Sequence, residues 1–524
     1  MGRIKSLKIL GFKKFEKFNI DFNENTNILV GENEAGKSTI LDAISIVLNQ
    51  KYQNSDKSIL KDLLNVNQIE KYLKSPSSDS LPYIYIELEL ILEKKEKNSE
   101  YFWGENNSKG NEAFGIVFEC KTNDTFSDMI DESVKRKKIP YEYYTMKWTT
   151  FAGLPYYQIK KPFNYLYINT SEQGANTSFN YYNRALFNST YDDVTKMNAK
   201  NSFRENISEA FTKIKLSDID SSRKFGINDK KIILESIISV YENSIAIENR
   251  GSGMESLIKT QIALDKAKSN LDVILIEEPE NHLCYTNMNK MLEEISKQKS
   301  TSQLIISTHS NMVATRLNLK NVFWITQNIA KSLNTVDDSV AYFFVKADNN
   351  SFLQFLLSER IVLVEGATEA LLFPKLYKMV TDKTLEEDKI SIISCNGISF
   401  KNYLKIAKGM NKRIAVLTDN DNNKQKISWA NEYNNEHKNS RIFLNPDTSL
   451  WTWEVCFYKL NEEYFDKLVK PKNNYDYKFH GENYGRTLGK MLNHKVSTAY
   501  KMLLCDDNFT IPEYIKDAIK WIKE

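Results

Sequence analysis

Cysteine is scarce in this chain of 524 residues. The five (Cys120, Cys284, Cys395, Cys456 and Cys505) are far apart and odd in number, and no Cys-x-x-Cys pair occurs. That argues against a disulfide scaffold and a structural zinc site, and it predicts reduced thiols in the cytoplasm. Long apolar runs are missing as well. Nothing approaches the ~18 residues of a membrane span, and the N-terminal apolar stretch is too short for a secretory signal. Residues 1–6 fit a loose N-myristoylation pattern, but Ile4, Leu7, Ile9 and Leu10 read better as the start of a strand. There is no charge excess of either sign: 71 basic and 68 acidic residues leave a net charge of +3. Bulk charge therefore neither requires nor excludes nucleic acid, and any basic surface has to be local. No internal repeat is visible, and residues 170–235 lack the sustained heptads of a coiled coil. What is left is 41% hydrophobic and 27% charged, the balance of a soluble globular chain. At ~100–200 residues per domain, it has length for two to four domains.

The first chemical signal is Gly31-Glu32-Asn33-Glu34-Ala35-Gly36-Lys37-Ser38-Thr39, which fits G-x-x-x-x-G-K-[ST] with no mismatch. The apolar stretch Asn27–Val30 predicts a strand before it. Helical apolar spacing over Thr39–Leu48 predicts a buried helix after it. Glycines let such a loop wrap so that backbone N–H groups face phosphates, and the helix start adds its positive end. Lys37 is expected to reach the β- and γ-phosphates of ATP, and the Ser38 hydroxyl to ligate Mg²⁺. Far downstream, the strand Leu271–Ile276 delivers Glu277 and Glu278 to a sheet edge. Glu277 is expected in the Mg²⁺ shell, and Glu278 to polarise the attacking water. His309, after the apolar strand Leu304–Ile306, is a candidate γ-phosphate contact. Ser252 and Gly253, within Arg250-Gly251-Ser252-Gly253-Met254-Glu255, open a helix that offers a second anion site.

A second signal lies in the C-terminal third. The strand Ile361–Val364 ends in Glu365-Gly366, and the strand Ile414–Leu417 leads into Thr418-Asp419-Asn420-Asp421. Carboxylates brought to one sheet edge repel, so they protonate or bind cations. Hard oxygen ligands favour Mg²⁺ or Mn²⁺.

The order of the first set resembles the ABC-type ATPases of the chromosome-maintenance and recombination-mediator class. That likeness implies two heads sandwiching ATP, with Ser252 and Gly253 acting in trans. The second set resembles the Toprim domain of topoisomerases, primases and certain nucleases, with Glu365, Asp419 and Asp421 matching its acids. Together they resemble the OLD (overcoming lysogenization defect) nucleases, including their Gabija defence branch. The resemblance implies that Glu369 supplies a second-metal carboxylate, that Glu454 is a further acid, and that Lys495 neutralises transition-state charge, with Lys490 as its rival. Glu365 would ligate metal or act as general base. The implied function is an ATP-regulated, metal-dependent DNA endonuclease in anti-phage defence. The implied partners are DNA, a second copy of the chain in a dimer or tetramer built through the heads and the helical insertion, and a UvrD-like helicase. No membrane is implied. The alternative is an ATP-gated DNA-binding or repair scaffold with a silent Toprim domain. A topoisomerase would need a catalytic tyrosine, and none of the 28 tyrosines sits in such a motif.

The fold class is α/β: an ABC-type head (1–169 and 241–347) interrupted by a helical dimerisation insertion (170–240), then a Rossmann-like Toprim domain (348–524). Strands are predicted at 83–92, around Val117-Phe118 and over Val340–Val345, a surface loop at 95–112, and a helix near 286–297. Phe203, Ile207, Ala210, Phe211 and Ile214 carry helical spacing within the insertion. Residues 470–501 interleave Lys470, Lys472, Lys478, Arg486, Lys490, Lys495 and Lys501 with Tyr475, Tyr477, Phe479, His480 and Tyr484. That mixture suits phosphate contact with base stacking, or equally a solvated face over aromatic stems.

Overall fold

Alternation sets the first sheet. Arg3–Phe12 buries Ile4, Leu7, Ile9 and Phe12, and pairs antiparallel with Phe15–Asp21 and Ile84–Ile91. Ala113–Thr122 continues the sheet beyond Ile84–Ile91, and it pairs with both Trp103–Gly104 and Tyr144–Thr150. The computed structural model describes residues 2–524 except 54, 94–97, 170–182, 185, 189, 215–218, 220–222, 224, 226, 227, 229–232, 268–270, 298–301, 327, 347–350, 396, 398, 409, 471–476, 480, 481 and 506–508. Two compact units are present, Met1–Thr335 and Val336–Glu524.

The second sheet of the first unit is built differently. Its order is Ile329–Ser332, Val322–Thr326, Thr26–Val30, Gln303–Ser307, Val273–Glu277 and Tyr165–Asn169. All neighbours are parallel except the edge hairpin Val322–Thr326/Ile329–Ser332. Strands such as Val-Ile-Leu-Ile-Glu are buried along their whole length, as a parallel sheet covered on both faces requires. The helix Lys37–Asn49 is buried on most sides, within a core shared with both sheets. Its last carbonyls are not left unpaired. The Trp148 indole N–H donates to Ile46 O (3.0 Å), and the Tyr156 hydroxyl donates to Leu48 O (3.2 Å). The helix Asp193–Thr212 falls within the expected helical stretch, its first turn capped by the Asp192 side chain.

The second unit holds a parallel sheet in the order Ile390–Ser394, Arg360–Val364, Arg413–Leu417, Ser440–Phe443. The chain passes from Arg360–Val364 to one side and then returns to the other. The order therefore reverses between Arg360–Val364 and Arg413–Leu417, and such a switch point leaves a crevice beyond the strand ends. The helix Ala367–Thr381 and the C-terminal helix Glu513–Lys523 share a core with both of these strands. Five short helices close the chain: Trp453–Leu460, Glu462–Val469, Arg486–Asn493, Lys495–Leu504 and Glu513–Lys523.

Two sequence expectations are corrected. Val340–Val345 is not a strand but part of the helix Asp338–Lys346. Periodicity cannot separate a short apolar run in a strand from one in a buried helix. Here Val340, Ala341 and Phe344 share a buried helical face while Tyr342 is exposed. Within 95–112, Ser99–Phe102 forms a helical turn and Trp103–Gly104 a strand, because Phe102 is buried edge-on against Tyr156. All five cysteines are free, and among the described residues no helix is long and apolar enough to cross a membrane.

Ile519 on the C-terminal helix is fully buried in the core that carries Ala415 and Leu417. Ile519→Ala should destabilise the protein by about 2–5 kcal/mol, read as a lower denaturant midpoint.

Candidate functional site

The strand Thr26–Val30 runs directly into the glycine loop. Gly36 has φ +103, and a Cβ there would lie 2.3 Å from the Phe15 ring; a Cβ on Gly31 would lie 2.7 Å from Ile325 O. Both glycines are therefore demanded by backbone shape and close packing. Asn33 is exposed on the loop and Thr39 is buried in the first helical turn. Lys37 Nζ donates to Gly31 O and Glu32 O, both at 3.0 Å. Burial lowers its pKa to about 8, against the opposing pull of Glu278, Glu280 and Glu277.

Neighbouring strands bring the acids to the same edge, because register aligns Leu29 with Ser307 and Ser307 with Glu277. Glu277 is buried and accepts hydrogen bonds from the Tyr167 and Ser38 hydroxyls; burial raises its pKa. Glu278 adopts φ +47. Its carboxylate accepts from the Asn281 amide (2.8 Å) and lies 3.4 Å from His309 Nε2. Burial, reinforced by Lys37, lowers the His309 pKa, so the imidazole is neutral at pH 7. Gly253, in the helix Ser252–Ala267, approaches the turn after this strand so closely that a Cβ would sit 2.1 Å from His282 O. Sequence reasoning assigned no role to Glu280. It accepts from Thr308 Oγ1 (2.7 Å) and His309 N (2.6 Å), so it fixes the backbone that carries His309. Its place two residues after Glu278 was the available signal.

In the second unit the acids gather at the switch point. Glu365 follows Arg360–Val364 and accepts from Thr418 Oγ1 (2.7 Å). Asp419 accepts from Thr452 Oγ1 (2.6 Å) and from Trp453 N (2.9 Å). Glu369 closes a capping box by accepting from Gly366 N (3.0 Å). Glu454 is buried, with Thr452 Oγ1 at 2.9 Å and Lys495 Nζ at 3.0 Å from its Oε2. Desolvation raises the pKa of Asp419 to about 8, with Glu454, Glu369 and Glu365 adding repulsion. Desolvation also raises Glu369, with Glu454 and Glu365 again adding to it. Burial pulls the Lys495 pKa down, but Glu454, Asp419 and Glu369 outweigh it and leave it above the ordinary lysine value.

The structure thus brings Glu365, Glu369, Asp419, Glu454 and Lys495 together. It sets Asp421 apart: φ is +52, and its half-exposed carboxylate accepts from Lys426 Nζ (2.7 Å), which itself lies 4.0 Å from Glu365. Lys490 donates to the Val469 and Lys470 carbonyls (3.2 and 3.4 Å), so its ammonium is committed elsewhere. Thr452, Thr418 and Lys426 were not foreseen; only Thr452, two residues before Glu454, carried a usable sequence cue. Among the described residues no three donors already stand at the spacing of a finished metal shell. The donor chemistry nevertheless fits a hard divalent cation. Four carboxylates gather at the crevice, Glu369 and Glu454 buried and Asp419 desolvated, and Glu454 Oε1 is buried with no hydrogen-bond partner among the described residues. Of the aromatic-basic stretch, Lys472, Tyr475 and His480 lie outside the described residues. Arg486 is exposed, and Tyr484 donates to Glu482 (3.1 Å).

The family model for the AAA ATPase domain matches residues 3–314, more than half of the chain. The chain belongs to the AAA ATPase domain family. The model for the overcoming lysogenization defect protein-like TOPRIM domain matches residues 356–421. This AAA family member is therefore an α/β protein that joins an ATPase head to an OLD-like TOPRIM domain. The TOPRIM match contains Glu365, Glu369, Asp419 and Asp421 and stops before Glu454 and Lys495. Among named relatives, Endonuclease GajA of Bacillus cereus (strain VD045) is 23% identical over 464 residues, covering 80% of this chain and 75% of its own. Old nuclease of Escherichia phage P2 is 26% identical over 170 residues, 30% of this chain and 29% of its own. DNA replication and repair protein RecF of Clostridium kluyveri is 33% identical over 92 residues, 18% of this chain and 25% of its own.

The Asp419 shift fixes a pH dependence. The folded pKa of about 8 lies above the ordinary 3.8, so the folded state holds an extra proton between those values. The stabilising contribution is complete below the lower value and is lost as pH rises through about 8. A divalent cation held by Asp419 would compete with that proton. In the absence of nucleotide, the rise in melting temperature given by Mn²⁺ should therefore grow between roughly pH 6 and roughly pH 9. Asp419→Asn should flatten this dependence. A parental pH profile in that variant would remove Asp419 from the cation site.

Proposed function

We propose that this protein is an ATP-regulated, divalent-metal-dependent DNA endonuclease of the OLD class, acting in anti-phage defence. The observation that carries this reading is the crevice at the switch point, where Glu365, Glu369, Asp419 and Glu454 gather and Lys495 pairs with Glu454. Bound Mg²⁺ or Mn²⁺ would supply Lewis acidity and an activated water for attack on a phosphodiester. Those four carboxylates would hold it, with Glu365 as ligand or general base. Asp421 would join them once Lys426 releases it. At neutral pH without a cation, Asp419 retains its proton, which limits repulsion within the crevice. Lys495 is kept charged by the surrounding acids, and its ammonium is placed to offset the negative charge that gathers on phosphate oxygens.

In the head, the N–H groups of the loop bearing Gly31, Asn33 and Gly36, together with Lys37 and Thr39, would receive the phosphates of ATP. Ser38 and Glu277, already hydrogen-bonded to each other, would hold its Mg²⁺. Glu278, steadied by Asn281 and next to neutral His309, would polarise the water. Ser252 and Gly253 would complete the site of a second head. The proposal therefore includes a homo-oligomer, dimer or tetramer, through the heads and the 170–240 insertion. It also includes the domain limits 1–169, 170–240, 241–347 and 348–524, a cytoplasmic setting and a UvrD-like helicase as candidate partner. The scaffold reading has the acid crevice against it, since so many desolvated carboxylates weaken the fold unless they hold a cation.

A supercoiled-plasmid assay with Mg²⁺ or Mn²⁺ tests this. The parent should nick or linearise plasmid, and Asp419→Ala should lower the rate by about two orders of magnitude or more. Equal cutting by parent and variant would mean the nuclease lies elsewhere. Lys37→Ala should retain metal-dependent cutting and lose its response to ATP; an unchanged response would end the proposed regulation.

A further inference from the structure

A cleft of about 680 Å³ opens at the other edge of the second unit's sheet, lined by Ile414 and Ser440 near the starts of the strands Arg413–Leu417 and Ser440–Phe443. The helices Phe400–Ala407 and Lys424–Glu436 form its walls. Lys401, Lys405 and Lys408 recur at i, i+4 and i+7, a row roughly 10 Å long on one wall. Lys438 lines the cleft as well, and all four are exposed. Glu436 is the one carboxylate in the lining, and among the described residues none of these four lysines has an ion-pair partner. Four lysines against a single carboxylate in a concave lining raise the local positive potential, and a polyanion relieves it.

The facing wall is aromatic. Half-buried Trp429 has Lys401 Nζ 4.4 Å from its ring centroid. Tyr433 follows one helical turn later at 5.9 Å, and His437 stacks on it at 4.0 Å and 7°. A flat ring beside a row of cations is the pairing that grips single-stranded nucleic acid without reading its sequence. The lysine row is longer than one phosphate, which favours a strand over a free monophosphate. The five-residue strand Arg413–Leu417 separates this edge from Asp419 by roughly 16 Å. A strand lying here is therefore not in the acid crevice.

We propose that this cleft binds a single-stranded DNA segment, one base against Trp429 and successive phosphates along Lys401, Lys405, Lys408 and Lys438. The choice of DNA rests on the nuclease reading; the cleft itself stands on its own geometry. Binding of labelled oligothymidylate to the full chain, followed by fluorescence anisotropy in EDTA, tests it. The double variant Lys405→Glu/Lys408→Glu should bind about tenfold more weakly or worse. The slope of log affinity against log salt should become shallower by about 1.4, for two lost phosphate contacts. Trp429→Ala should weaken binding several-fold. Both variants should keep the parental Mn²⁺-induced melting shift, which shows a folded second unit. Parental affinity in the double lysine variant would overturn the proposal, as would displacement of the probe by free thymidine monophosphate at equal nucleotide concentration. Because no divalent cation is present, either failure leaves plasmid cutting, and so the nuclease reading, untouched.

Discussion

Asp419 cannot ionise cheaply where the fold puts it. Parallel strands end at one edge, and the order reversal beside Arg360–Val364 opens a crevice there, so Glu365 and Asp419 emerge as neighbours. The helix starts at Trp453 and Lys495 then return to that crevice and add Glu454 and Lys495. Each arrival removes water as well as adding charge. The protein answers with what it has: the Thr418 and Thr452 hydroxyls, the Trp453 N–H, and a single ammonium on Glu454. These satisfy lone pairs without cancelling the charge, and burial, with repulsion from Glu454, Glu369 and Glu365, raises the Asp419 pKa to about 8.

The head meets a similar demand with the opposite balance. Lys37 also stands among acids, yet its pKa is lowered, whereas that of Lys495 is raised. The difference lies in their partners. Lys37 donates to two backbone carbonyls, which carry only partial charge, so desolvation wins. Lys495 donates directly to a carboxylate, so attraction wins. A lysine resting on carbonyls is readily drawn away by an incoming phosphate. One paired with a buried carboxylate stays where it is and acts as a fixed charge.

What could be read from the sequence follows the range of the interactions. The glycine loop, the strand before it and the acids after Ile276 and Val364 are local features, so residue type and spacing disclosed them. Glu454 and Lys495 came only through family resemblance, because no rule of spacing joins them to Asp419 across separate helices. Thr452 and Glu280 had only their nearness to Glu454 and Glu278 as a cue, and each acts through a fold-dependent hydrogen bond. Asp421 shows where a local rule ends. Residues two apart share a face only while the strand continues, and the strand stops at Leu417. By Asp421 the backbone is left-handed and the side chain turns to Lys426. The run Val340–Val345 fails differently, since its composition suits both a strand and a buried helix and tertiary packing decides.

The polarity of a parallel sheet also limits how its two edges can help each other. The lysines around Trp429 lie at the strand starts, and the acids lie past the strand ends. Roughly 16 Å separates such edges, about twice the ~8 Å screening length at physiological ionic strength. Positive charge at the far edge therefore does little to relieve Asp419. Within reach there are Lys495 on Glu454 and Lys426 between Glu365 and Asp421, two ammonium groups against five carboxylates. That local shortfall persists whatever occupies the distant cleft. A proton on Asp419 meets it at low pH, and in the proposed nuclease a divalent cation would meet it at high pH, so the charge left for a metal to balance follows from strand direction as much as from the identity of the residues.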